Sequence, residues 1–237
     1  MADHSPLEIV HLDTRLRGLV ATPKGQGPFP AVLVMHSALG IRHMVEEVAD
    51  RLVAAGYCAV VTDMYGADAD IATPAKAGEC YMAMLHAPDL LRDRCAAWFD
   101  ATIALPQVDP DRVAAVGYCF GGRCVLELAR SGRDVRAVVS FHGTLDTHAP
   151  ARPGSLKGEV VAYCGARDPF APREQTDGLR QEMIAAEASW QITEFGDAAH
   201  GFTDPGAEGG APGIAYNAVA DRISWSGTMA ILQQVLA

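Results

Sequence analysis

The chain has 237 residues, 49% of them apolar, with 19 Lys and Arg against 29 Asp and Glu and a formal net charge of −10. A chain this long buries a full core, and its 23 glycines and 14 prolines stay far below the share of about 25–30% that marks disorder. The acidic balance, with no Lys/Arg cluster to offset it, repels phosphate backbones and excludes nucleic acid as a partner.

The first residues, 1–23, carry Asp3, Glu8, Asp13, Arg15 and Arg17 through a modest apolar pattern, so no uninterrupted secretory stretch is present. The longest near-continuous apolar run, 51–62, is broken by Gly56 and falls short of the roughly 18 residues of a bilayer span. These features predict a cytoplasmic protein with no membrane partner. Six cysteines (Cys58, Cys80, Cys95, Cys119, Cys124 and Cys164) are too sparse for a disulfide scaffold and read mostly as small buried apolar residues.

In chain order, 7–13 and 15–21 alternate as two short strands with a tight connection, which predicts an antiparallel edge hairpin. After Pro28 and Pro30 the texture changes: 31–35 is wholly apolar, as in a strand covered on both faces. Similar runs follow at 58–62, 113–116, 135–141 and 160–163. Between them lie segments of helical spacing at 44–55, 89–105, 122–131 and 173–186, and a last strand is predicted over 190–195. Gly-Gly-Ala-Pro-Gly at 209–213 marks a loop before a C-terminal helix over 214–235. Strands alternating with helices imply right-handed crossovers, hence one α/β domain over 1–237: three layers around a mostly parallel sheet. Ligands in such sheets bind beyond the carboxyl ends of the strands.

One of those ends carries Gly117-Tyr118-Cys119-Phe120-Gly121-Gly122, which runs from a buried strand directly into a helix. This is the form of a nucleophile elbow with Cys in the place of Ser. The sharp turn holds its central residue in a strained conformation, so glycines must leave room on either side, and the helix behind it favours a thiolate. A triad then needs an acid and a histidine at later strand ends, in that order. Asp168 lies just past the strand at 160–163, and His200 follows the strand at 190–195. Asp63 precedes the nucleophile and Asp197 is too close to His200, so both compete poorly for the acid's role. His4 and His11 precede the core and read as solvent-facing, and His43, His86 and His148 fall on helical or loop segments. His36 and His142 each end a core strand, and substrate contact and structural hydrogen bonding stay equally open for them.

No metal-ligand spacing, phosphate-binding loop or dinucleotide fingerprint occurs, so no cofactor and no metal are expected. The chain is expected to be a monomer or homodimer.

The residues Gly117–Gly122, Gly165-Ala-Arg-Asp168-Pro-Phe170, His200-Gly-Phe202 and Thr62-Asp63-Met-Tyr65-Gly66 resemble the dienelactone hydrolase family of α/β-hydrolases, in the same order and from about Pro28 onward. The resemblance implies an α/β-hydrolase fold with Cys119 as nucleophile, His200 as base and Asp168 as orienting acid. It also implies an oxyanion hole from the backbone amides of Phe120 and Ala38. Ser37, Tyr81 and Phe202 join His36 and His142 as candidate pocket residues. The chain departs from the family where Ser37 stands in the place of a glutamate and Thr203-Asp204-Pro205 in the place of a carboxylate-binding arginine. The implied activity is cleavage of a carboxylic ester or lactone through a thioester acyl-enzyme. Alternatives are a thioesterase, or a non-catalytic or redox-sensing protein of the same fold in which Cys119 works with Cys124.

Overall fold

The structure, a computed structural model, describes residues 3–207 and 212–237, so 209–211 of the glycine-rich loop lie outside the described residues. Two strands, β1 (His4–His11) and β2 (Thr14–Ala21), pair antiparallel along their full length, with Leu12 at φ 53° in the turn between them. The alternation of β2 is real: Leu16, Gly18 and Val20 face the core while Arg15 and Arg17 face out.

The next strands, β3 (Phe29–Met35) and β4 (Cys58–Thr62), lie parallel. Every residue of β4, and β3 from Ala31 onward, is buried. A strand buried on both faces needs apolar side chains at every position, which is why these runs show no alternation. The remaining strands are β5 (Val108–Tyr118), β6 (Ala137–Phe141), β7 (Glu159–Gly165) and β8 (Trp190–Phe195). All eight form one sheet in the order β1-β2-β4-β3-β5-β6-β7-β8, parallel except where β2 meets β1 and β4. The hairpin therefore occupies one edge, and the carboxyl ends of β3 to β8 share one rim.

Helices cover both faces. On one side α1 (His43–Ala54) and α6 (Ala218–Val235) pack Val45, Val48, Leu52, Ala220 and Leu232 against Val34, Val61, Val116 and Val139. On the other side lie α2 (Pro74–His86), α3 (Pro88–Ile103), α4 (Phe120–Arg130) and α5 (Arg173–Ala185), with Trp98, Phe120, Leu126 and Leu128 in the opposing core. This is the three-layer α/β-hydrolase arrangement.

All eleven residues of α4 are buried, including the charged ones in its last turns. Arg130 bonds Glu127 at 2.9 Å, Glu182 of α5 at 2.7 Å and the carbonyl of Leu145 at 3.0 Å, while Arg92 of α3 reaches Glu127 at 2.6 Å. Buried charges persist only when each is paired and hydrogen-bonded, and here the pairing ties α3, α4, α5 and the chain after β6 together.

Several boundaries differ from the sequence reading. Helix α4 begins at Phe120, with no residue to spare after Cys119, and β7 continues through Cys164 and Gly165. Helix α6 starts at Ala218 rather than 214, because Asn217 caps it by accepting from the amides of Val219 and Ala220. Helix α2 was not predicted. Thr73 caps it and Pro74 opens it, but only Ala77 and Met84 are buried, too thin an apolar stripe to read as periodicity. His4 and His11 are half-buried rather than solvent-facing: His4 bonds Asp50 at 3.0 Å, and Nδ1 of His11 is buried.

Candidate active site

Cys119 stands between β5 and α4 with φ 56° and ψ −114°, a conformation that side chains other than glycine avoid. Its amide donates to the carbonyl of Phe141 at 3.0 Å, and its own carbonyl accepts from Gly122 at 2.9 Å, so the turn is held from both sides. The glycines are required by contact. A Cβ on Gly121 would lie 2.0 Å from the carbonyl oxygen of Met35, and one on Gly117 the same distance from that of Gly121. Any side chain there would drive α4 off the sheet.

The carboxyl ends of β7 and β8 bring up the other two groups. A Cβ on Gly165 would meet the carbonyl of Ala198 at 2.5 Å, so glycine lets the end of β7 close on the turn that leads to His200. Arg167 then donates its amide to that carbonyl at 2.9 Å. Asp168 is buried, and both of its carboxylate oxygens are used: Oδ1 accepts from the amides of Phe170 (2.8 Å) and Ala171 (3.3 Å), Oδ2 from His200 Nδ1 (2.8 Å). The backbone of His200 is bracketed by Gly213 and Ala215 at 3.0 Å each.

With Nδ1 committed to Asp168, His200 turns its other nitrogen to Cys119, and the two side chains hydrogen-bond. Burial lowers the imidazole's proton affinity, but the hydrogen bonds to Asp168 and Cys119 and the charges of both outweigh it and push the pKa up to about 10. Burial likewise raises the thiol. The hydrogen bond and charge of His200, with the backbone amides of Ala38 and Phe120, outweigh it and hold Cys119 below its ordinary value.

The sulfur opens into a cavity of about 200 Å³ lined by Ala38, Tyr81, Cys119, Phe120, Thr144, Phe170, His200 and Ile214. Tyr65, at the end of β4, donates its hydroxyl to the carbonyl of Ala38 at 2.9 Å and stacks on Phe120 with ring centroids 5.7 Å apart. It thus holds the two residues whose amides face the sulfur.

Of the pocket residues expected from sequence, the structure places Tyr81 on the cavity wall and four elsewhere. His36 is buried with both nitrogens used by the backbone: Nδ1 donates to the carbonyl of Ser37 at 2.7 Å and Nε2 accepts from the amide of Met64 at 3.1 Å. Burial holds it below its ordinary pKa, in the neutral form this arrangement requires. Ser37 accepts from the amide of Leu39 at 3.3 Å, within its own turn. His142 lies under the cavity with its ring 5.1 Å from that of His200, bonded to Thr203 Oγ1 at 2.8 Å. Burial and the neighbouring charge of His200 keep it neutral. Phe202 is fully buried, packed edge-on against His142 and Phe195. Asp63 is spent on the amides of Arg17, Tyr65 and Gly66.

Sequence reasoning missed Tyr65, Thr144, Phe170 and Ile214. Tyr65, Thr144 and Phe170 each lie within a few residues of a strand's carboxyl end, a signal that was present. Ile214 was assigned to a helix, whereas it forms a parallel bridge with His200. Among the described residues, no group of three or more His, Cys, Asp or Glu side chains could hold a metal, and no helix is long and apolar enough to cross a membrane.

The model of the dienelactone hydrolase family matches residues 16–236. The chain belongs to the dienelactone hydrolase family. A Synechocystis protein provisionally named a carboxymethylenebutenolidase is 28% identical over 96% of this chain and 95% of its own. Among solved structures, m3DLH superposes with a TM-score of 0.91 at 33% identity over 99% of each chain. A dienelactone hydrolase-like promiscuous phosphotriesterase from metagenomic libraries matches equally well, with TM-score 0.91 and 32% identity over the full length of both. This dienelactone hydrolase family member thus shares its overall fold with relatives covered end to end.

Proposed function

We propose that the protein hydrolyses carboxylic esters or lactones through a thioester on Cys119. The observation that carries this reading is the linked set of Asp168, His200 and Cys119 at the floor of an apolar cavity, with two backbone amides turned toward the sulfur. The thiolate attacks the carbonyl carbon, and the carbonyl oxygen takes the negative charge and moves onto the amides of Ala38 and Phe120. His200, as imidazolium, gives its proton to the departing alcohol oxygen, leaving the acyl group on sulfur. The neutral imidazole then takes a proton from water, which attacks the thioester and releases the acid and the thiolate. Asp168 holds the ring in the tautomer that both steps need. A thiolate is expelled easily from a tetrahedral intermediate, so esters, enol lactones and thioesters suit the site better than amides.

The test is turnover of a chromogenic short-chain ester by the wild type and by Cys119→Ala, with mass spectrometry of the quenched enzyme. A hydrolytic burst and an acyl adduct on the peptide bearing Cys119 support the reading. Equal turnover by Cys119→Ala, or an adduct on another residue, overturns it.

A further inference from the structure

The cavity has a direction. Because His200 must reach the departing oxygen, the alcohol part of an ester lies on the side of His200 and Phe170, whose rings are 4.9 Å apart. The acyl part then points the other way, toward Tyr81. Three observations describe that end. Among the described residues, no Lys or Arg lines the cavity. Its volume of about 200 Å³ is below the ~300–1,000 Å³ of sites that enclose a drug-sized ligand, which leaves room for a short acyl group. Two residues beyond Thr144 of the cavity wall, Asp146 accepts from Nη1 of Arg123 at 2.9 Å, and the charges of both residues act on the hydroxyl of Tyr81.

The Arg123–Asp146 pair is unequal. Arg123 is nearly buried and its Nε has no hydrogen-bond partner, whereas the Asp146 side chain is 54% exposed. The guanidinium is thus held one helical turn past Cys119, and its charge is cancelled from the solvent side. On the cavity wall, Phe170 leaves its apolar ring about half exposed.

Resting on the hydrolase reading, we propose that the site selects esters with a short, uncharged acyl group, and that Asp146 enforces this by neutralising Arg123. An acyl chain ending in a carboxylate would bury an unpaired anion against Tyr81, in a protein already strongly acidic. Without Asp146, the same chain would meet a free guanidinium that recognises carboxylates well.

Two p-nitrophenyl esters of matched length test this: the butyrate, and the monoester of succinic acid, in which a carboxylate replaces the terminal methyl. The wild type is expected to prefer the butyrate by at least about tenfold in kcat/KM. Asp146→Asn is expected to shift the ratio toward the succinate by several-fold, and adding Arg123→Gln to remove that shift. Equal or better cleavage of the succinate by the wild type, or a ratio indifferent to Asp146→Asn, overturns the proposal. Cleavage of neither ester overturns the hydrolase reading itself and this proposal with it.

Discussion

The two ends of α4 are both buried and both polar, and they use their polarity in opposite ways. At the first end Cys119 is held at φ 56°, with a helix amino terminus and two backbone amides turned on its sulfur. At the last end Glu127 and Arg130 are matched by Glu182, Arg92 and the carbonyl of Leu145, so that no charge is left over. One end keeps strain and hydrogen-bond donors aimed at a reactive sulfur, the other keeps neither. The lesson is that reactivity in this helix resides where the backbone is over-constrained and the polar groups are incompletely satisfied.

Substitutions at the two ends should therefore separate activity from stability. The largest effect is expected from Cys119→Ala, with ester turnover lost by about 10⁴-fold or more and the thermal midpoint almost unchanged. Cys119→Gly should be equally inactive yet more stable by about 1–3 kcal/mol in chemical denaturation, because glycine accepts the positive φ without strain. A Gly variant no more stable than Ala would remove strain from the comparison. Asp168→Asn is expected to reduce kcat by roughly 10³–10⁴-fold with little change in KM, through loss of the correct imidazole tautomer. At the other end Glu127→Gln leaves two guanidinium groups short of a partner and should cost about 3–5 kcal/mol in stability. The pH profile of the protein that remains folded should be that of the wild type.

The cysteine–histidine pair sharpens the comparison through pH. Because the thiol of Cys119 lies below its ordinary value, its alkylation by iodoacetamide should already be fast below the pH at which free thiols ionise. Replacing His200 with Ala removes the charge that favours the thiolate, and the alkylation profile should move to higher pH. Ester turnover needs the imidazolium to protonate the leaving group, so kcat/KM should fall as pH rises through about 10. A profile still rising there would place the proton donor elsewhere. The smallest effect is expected from Tyr65→Phe. Loss of one hydrogen bond to Ala38 should slow acylation by the equivalent of about 0.5–1.5 kcal/mol, with KM nearly constant.

Three histidines show where the sequence stops being informative. His36, His142 and His200 all follow core strands, and all three are buried. Chain order singled out His200, which follows the acid, but it could not say whether His36 and His142 faced a substrate or served the structure. That distinction depends on which atoms arrive from other strands: the amide of Met64 for His36, Thr203 for His142, Asp168 for His200.

Apolar runs without alternation, helical spacing between them, and a glycine-flanked cysteine at a strand's end were enough to imply the layered sheet and the rim to search. These are local properties: periodicity follows from which faces are covered, and the elbow's glycines from backbone contact within a few residues. The cavity wall, the neutral state of His36 and His142, the role of Tyr65 and the cancelled charge of Arg123 were decided by tertiary structure alone. Each depends on a hydrogen bond or a contact between residues far apart in the chain, whose energy exists only once the sheet has brought them together.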